Sequence, residues 1–377
     1  MQEKRGASKA GLVACESPEA SAKETFMKSV RNVYGGLLSL ERIKEIILLA
    51  AKGKKKRREV IEVLQNIDLY AEKTLQMLQS GDFKQRPMRH KTITERGKKR
   101  LLTISPFFPN RILDYIIIET LKPYIRKSMY EYCVGNVDKR GITYGKKIVA
   151  RHYRRYKYYI KLDIRKFYPS VKSEKLLEFI RHRVQDERFY KLCEFVVGSC
   201  EELPIGSYYS QWFSNWFLED VDHYIKEELR IPFYVRYVDD MVLMGDNKRK
   251  LLNAMYNIDR KLAEKGLSLK AKAQVHQPQN KPIDFLGFRF GKEVRLRQRT
   301  FRAINKRVAK IRKKKHICVS QARSLLSYTG WLAQIKQGYS YYISEIRNTV
   351  KNGLLRRIVS KYEKTHRTAL PKLQAAI

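Results

Sequence analysis

The stretch that most constrains this chain is Phe233–Met244, FYVRYVDDMVLM. Apolar and aromatic residues flank two adjacent acids, Asp239 and Asp240, which predicts a tight hairpin with strands over Phe233–Tyr237 and Met241–Met244. Burying ionised carboxylates without a partner is costly, so something cationic should face them, and a divalent metal is the natural candidate. Taken alone, an Asp-Asp pair in a hairpin reads as a solvated turn. A third acid overturns that reading: Asp163 lies in a second strand-like run, Tyr158–Ile164. Two β-hosted acid sites separated by a helical crossover supply the parts of a two-metal phosphoryl-transfer site. There, two Mg²⁺ ions roughly 3.5–4 Å apart stabilise the attacking and leaving oxygens of an in-line displacement.

Charge supports a polyanionic partner. Lys and Arg number 79 against 38 Asp and Glu, a net +41 over 377 residues, far beyond what solubility asks for. Nucleic acid is the first candidate. An anionic membrane is the weaker one, because no uninterrupted apolar stretch approaches the ~20 residues of a span, and no apolar secretory segment opens the chain. The five cysteines (Cys15, Cys133, Cys193, Cys200, Cys318) are odd in number, widely spread and free of CxxC pairs. Neither a disulfide framework nor a zinc site is indicated, and a reducing cytosol fits.

Taken in order, residues 1–25 read as a flexible tail, and 26–80 as a helical region with periods such as Leu40-Ile43-Ile46-Ile47-Ala50. Between its helices lies the basic run Lys52–Arg58, a solvated loop or a phosphate-contacting patch. Eight basic residues fall between Lys84 and Arg100, with a turn at Glu95–Lys98 and a strand at Arg100–Ile104, so a basic hairpin is expected. A buried helix follows over Arg111–Ile125, then Cys133–Gly145 with three glycines. Cations and aromatics interleave over Lys146–Tyr159, a composition suited to phosphate neutralisation and base stacking. Ser173 is a plausible N-cap for a helix through Val184, and one amphipathic helix is expected over Ser210–Leu229. A helix over Lys248–Lys265 and strands near Leu267–Val275 and Asp284–Phe290 complete an α+β core of βαβ-type alternation ending in an antiparallel hairpin. Residues 293–377, with eight basic residues between Arg302 and Lys315 and a tyrosine-rich stretch (Tyr339, Tyr341, Tyr342), read as a mostly helical basic subdomain.

Four motifs now stand in order: Lys161–Ser170 (KLDIRKFYPS), Ile205–Gln211 (IGSYYSQ), Tyr237–Asp240 (YVDD) and Phe285–Gly287 (FLG). Together they resemble those of a reverse transcriptase, over roughly residues 86–290. The resemblance implies a right-hand polymerase: fingers at 81–157 (with part of the palm), palm at 158–292 and a helical thumb at 293–377. The second motif narrows it. Most reverse transcriptases read Gln-Gly-x-x-x-Ser-Pro there, whereas Ile205 replaces the glutamine and Gln211 the proline. That form resembles the enzymes of diversity-generating retroelements, bacterial and phage systems of mutagenic retrohoming that copy a template-repeat RNA with errors at adenines. The lack of room for an RNase H or endonuclease domain after the thumb agrees. Retron, group II intron-like and defence-associated reverse transcriptases remain alternatives, as does a non-catalytic RNA-binding scaffold.

The resemblance also implies roles. Asp163, Asp239 and Asp240 are assigned to two Mg²⁺ ions, with Asp240 in a supporting position and the Ile164 carbonyl completing the set. Tyr168 matches the residue under the incoming sugar, and Arg100 the arginine on the dNTP triphosphate, with Lys91 its favoured companion and Arg89 or Lys98 as alternatives. Gly206 lets backbone approach the nucleotide or template, and Gln211 joins the dNTP-binding set. Isoleucine at 205 cannot supply an amide hydrogen bond to the nucleotide, which implies lowered fidelity. Lys270 and Lys272 bracket the place of the lysine near the pyrophosphate, with Lys272 the candidate and Ala273 the alternative occupant, and Phe285, Leu286 and Gly287 form the primer grip. The implied partners are template RNA, the RNA/cDNA duplex, dNTPs and a small helical accessory protein. The implied location is the cytoplasm of a bacterial or phage-infected cell.

Overall fold

The computed structural model describes residues 29–335, except 96, 136, 138, 271, 272, 314 and 315, together with residues 352–367. The tail expected over 1–25 and the tyrosines at 339, 341 and 342 lie outside the described residues. Three helices come first: α1 (Leu40–Ala51), α2 (Arg58–Gln65) and α3 (Ile67–Ser80). In α1, Ser39 caps the N-terminus by accepting from Arg42 N, and Ile43, Ile46, Ile47 and Ala50 are buried at helical spacing. The basic run 52–57 turns between α1 and α2. The expected basic hairpin follows as β1 (Arg89–Glu95) and β2 (Lys98–Ile104), paired antiparallel with Ile93 opposite Arg100. Helix α4 (Ile112–Ser128) is buried along most of its length, and α5 (Ile142–His152) leads to β3 (Tyr158–Asp163).

Beyond β3 come α6 (Phe167–Ser170), α7 (Ser173–Arg183) and α8 (Glu187–Val197). Ser173 does not cap α7. It is the first helical residue, buried, with its N–H donated to Glu201 O at 3.0 Å, so a tertiary contact sets where the helix starts. The single helix expected over Ser210–Leu229 is interrupted. It runs as α9 (Tyr208–Trp216), α10 (Glu219–His223) and a π-type turn over Tyr224–Glu228. Apolar residues stay buried through each piece, so periodicity did not register the breaks. Next are β4 (Phe233–Tyr237), β5 (Asp240–Gly245), α11 (Lys248–Ala263), and the short strands β6 (Val275–His276), β7 (Ile283–Phe285), β8 (Phe288–Phe290) and β9 (Val294–Leu296). The strand expected over Leu267–Val275 shrinks to the bridge Ile164–Leu269 and the two residues of β6. Helices α12 (Gln298–Arg312), α13 (Val319–Ala333) and α14 (Asn352–Arg367) end the described chain.

The fold is α+β, built on a sheet in the order β4-β5-β3-β6 whose neighbours are all antiparallel. Residues on alternate positions of its strands enter two different cores. Ile160, Leu162, Tyr234, Met241 and Leu243 join the N-terminal helices and α7–α11. Tyr159, Phe233, Val235, Val242 and Met244 join α5, the β7-β8-β9 sheet and the C-terminal helices. Covering both faces is why these strands read as continuous apolar runs rather than alternating ones.

The turn before α9 docks the basic hairpin onto this body. Thr103 N donates to Ile205 O at 2.8 Å, and Gly206 sits at φ 128 directly against Thr103. A Cβ at 206 would fall inside the van der Waals envelope of the Thr103 carbonyl oxygen. Gly206→Ala is therefore expected to lower the denaturation midpoint, losing on the order of 2–4 kcal/mol through backbone strain and overpacking. Gly141→Ala, at a position with open space for a Cβ, is the control and should stay within about 0.5 kcal/mol.

Candidate active site

The β3–β5 register sets Asp163 directly opposite Asp240, and Asp239 occupies the two-residue loop that joins β4 to β5. Ile164 N donates to Asp239 O at 3.2 Å, tying the loop to the end of β3. Three acids distant in sequence thus meet at one end of the sheet. The loop is strained: Val238 has φ 58, a left-handed conformation that a β-branched residue adopts only under constraint. Gly135 lies against it, where a Cβ would stand 2.8 Å from Val238 N.

What holds the loop is a buried polar network that the sequence reading missed. Arg236, 1% exposed, donates from Nη1 to Val238 O at 3.0 Å and to Asn215 Oδ1 at 3.1 Å. Its Nε and Nη2 grip Asp222, itself fully buried, at 2.7 and 2.5 Å. Asn215 Nδ2 donates in turn to Gly135 O at 2.6 Å, and Tyr234 Oη to Asp222 Oδ1 at 2.7 Å. The available signal was an arginine inside an apolar strand, since a buried charge needs a buried partner.

The acids face cations and each other. Asp240 Oδ2 lies 3.0 Å from Lys161 Nζ, while its Oδ1 is covered and has no hydrogen-bond partner. Burial pushes the Asp240 carboxyl up to about 6; Lys161 opposes the shift, and the charges of Asp163 and Asp239 add to it. Asp239 is raised as well, by burial first and by Asp163, with a backbone hydrogen bond, Arg100 and Lys161 acting the other way. Lys270 Nζ stands 4.0 Å from Asp163 Oδ1, and Lys270 N donates to the Asp163 carbonyl. Among the described residues no group of three or more His, Cys, Asp and Glu side chains forms a ready-made metal site. The uncovered demand is nonetheless electrostatic: an orphaned oxygen on Asp240, and the upward push that burial and the Asp163 charge give to Asp239 and Asp240, fit a cation at this end of the sheet.

The remaining expected residues gather around this end to different degrees. Arg100 lies near enough to oppose the shifts of both Asp239 and Tyr168. Lys91 pairs with Leu102, two positions along from Arg100, so Arg89, Lys91, Lys98 and Arg100 all share one face of the hairpin. Burial raises the Tyr168 phenol, a hydrogen bond with Ser214 opposes this, and Asp239 adds to the rise. Ile205 and Gly206 touch β2 itself, and the close neighbour that demands glycine at 206 is the Thr103 backbone. Gln211 is exposed on the first turn of α9, whose start is fixed by Tyr208 N donating to the buried carboxyl of Asp114, which burial pushes up to about 7. Lys272 lies outside the described residues; among the described residues Lys270 is a lysine that stands beside Asp163. Phe285, Leu286 and Gly287 form the β7–β8 turn, with positive φ at Leu286 and Gly287 and with Leu286 packed on Gly145.

Arg236→Met should cost roughly 3–5 kcal/mol, because it strands the buried Asp222 charge. Adding Asp222→Leu should recover part of that loss in chemical denaturation, since no uncompensated carboxylate is left.

With the geometry in place, comparison with known proteins is direct. A family model described as reverse transcriptase (RNA-dependent DNA polymerase) matches residues 88–290, a span holding all three aspartates and the basic hairpin. No curated protein matches the chain. Among solved structures, apo telomerase from Candida Tropicalis, truncated from its C-terminal domain, aligns at TM-score 0.40 and 13% identity. That alignment covers 56% of this chain and 55% of the telomerase chain, so this chain spans about half the length of that neighbour. More than half of the sequence, carrying the acid pair, its cross-strand partner and the facing cations, places the chain in the reverse transcriptase (RNA-dependent DNA polymerase) family.

Proposed function

We propose that this chain copies a template-repeat RNA into cDNA for a diversity-generating retroelement, with errors concentrated at adenines. The observation that carries the polymerase reading is the cross-strand pair Asp163–Asp240 beside the braced Asp239 loop, within electrostatic reach of Arg100. Asp163, Asp239 and the Ile164 carbonyl are the proposed ligands of Mg²⁺, with Asp240 held in a supporting place by Lys161. When bound, the metal supplies charge stabilisation for the attacking and leaving oxygens. The protein's share is positioning. Arg100 and Lys91 bind the triphosphate from the hairpin face, Tyr168 packs under the sugar, and the Phe285–Gly287 turn supports the primer. The primer 3′-hydroxyl then attacks the α-phosphate and pyrophosphate leaves.

In this reading residues 81–157 form the fingers, 158–292 the palm and 293–377 the thumb, preceded by a tail at 1–25 and a helical region at 26–80. The grouping of elements supports this: the docked hairpin, the two-faced sheet and α12–α14 follow one another in that order. The net charge of +41 suits an RNA/cDNA duplex and leaves basic surface for a small helical accessory protein. No helix among the described residues is long and apolar enough to cross a membrane. The cytoplasm of a bacterial or phage-infected cell is the proposed setting. The retroelement assignment rests on Ile205 and Gln211 at the turn and first helical residues beside the hairpin.

Primer extension on a defined RNA with dNTPs and Mg²⁺ tests the activity. Asp163→Asn and Asp239→Asn are each expected to slow it at least roughly 100-fold, the loss of several kcal/mol of transition-state stabilisation. Normal cDNA synthesis by Asp239→Asn would refute the assignment. Sequencing the products tests the specialisation: Ile205→Gln should reduce adenine errors about five-fold if it restores one positioning contact of order 1 kcal/mol. Unchanged adenine errors would remove Ile205 as their cause.

A further inference from the structure

We infer that Lys161 is a positioning residue that locks the primer-side hairpin and the carboxylate of Asp240 into one register, an inference that rests on the polymerase reading above. Lys161 lies on β3, two residues before Asp163. Its Nζ donates to Asp284 O at 2.8 Å and stands 3.0 Å from Asp240 Oδ2. Those acceptors belong to different sheets: Asp240 to the central one, Asp284 to β7 in the separate β7-β8-β9 sheet. An ammonium directs its donors at fixed tetrahedral angles, so two bonds made at once fix the angle between their acceptors. A plain counter-ion for Asp240 would need only one of them.

The hairpin is tied down on its other side by Arg297. That residue precedes α12, pairs with the Asp284 carboxylate (Nε–Oδ1 2.7 Å), and donates its backbone N–H to Gly287 O at 2.9 Å. Asp284 is thus held through its carbonyl by the strand that carries Asp163, and through its carboxylate by the first residues of the C-terminal helices. A shift of the primer-side turn reorients the Lys161 ammonium and, with it, the carboxylate beside the reacting atoms. Methionine keeps much of the side-chain length and makes neither bond; arginine retains donors in two directions.

The test compares Lys161→Met, Lys161→Arg and Arg297→Gln with wild type. Two measurements are made: fluorescence anisotropy of a labelled RNA–DNA primer–template without divalent metal, and steady-state extension kinetics. Lys161→Met should weaken duplex binding and raise the primer–template KM at least about ten-fold, the scale of a lost hydrogen bond to a charged group. The KM for dNTP should move less than about two-fold, a split that a general loss of structure would not produce. Lys161→Arg should restore duplex binding to within about two-fold of wild type. Arg297→Gln should weaken duplex binding too, and its combination with Lys161→Met should add less than the product of the single effects, because both act through one hairpin. A Lys161→Met enzyme that loses turnover but keeps its primer–template KM and duplex affinity would overturn the inference, leaving Lys161 a counter-ion. Absence of extension by wild type would instead overturn the polymerase reading itself.

Discussion

Asp239 sits where it does because a buried guanidinium on the central sheet holds the carbonyl of the residue before it. Arg236 reaches Val238 O, Asn215 and Asp222 together, and every polar group in that set has a partner. A left-handed valine is unfavourable by itself, and only surroundings that over-determine it make it persist. The network supplies that constraint from three directions: the strand before the loop, the helix after the Ile205–Gly206 turn, and the glycine segment at 135. Burying an ion pair costs several kcal/mol of desolvation, which good geometry offsets without a large surplus. What the pair contributes is one defined place for the acidic loop rather than net stability.

Around that loop the molecule is arranged as two packed bodies sharing a sheet. Strands buried on both faces have little freedom to slip, because a one-residue shift would send each side chain into the wrong core. The acids are therefore mounted at a rigid end of the sheet's inner strands, while the groups proposed to touch substrates come from pieces docked onto it. The basic hairpin docks through the Thr103–Ile205 bond and the bare backbone of Gly206. The β7–β8 hairpin docks through Leu286 on Gly145 and through the Lys161 and Arg297 bonds to Asp284. In both cases a glycine allows the close approach, since a side chain there would hold the surfaces apart.

The electrostatics follow from this placement. Desolvation and the Asp163 charge both disfavour charge on Asp239 and Asp240, and Lys161 at both, with Arg100 at Asp239, acts the other way. Asp239 and Asp240 are both pushed upward beside Lys161, and one oxygen of Asp240 has no hydrogen-bond partner, which is the electrostatic basis for proposing a cation here.

Local chemistry written in the chain was enough for the Asp239–Asp240 hairpin, the strand of Asp163, the basic hairpin that carries Arg100 and the buried helix after it. Each depends on short-range patterns: apolar runs, turn residues, period-two alternation. Family motifs were also legible, because they are short and ordered. Tertiary structure decided the rest. It broke the helix between Trp216 and Glu219, set the start of α7 by a bond to Glu201, and reduced the strand after Leu267 to a bridge and the two residues of β6. It alone put Asp163 opposite Asp240, Arg236 against Asp222 and Lys161 between two sheets, since pairings between separate elements arise from packing and leave no local periodicity to read.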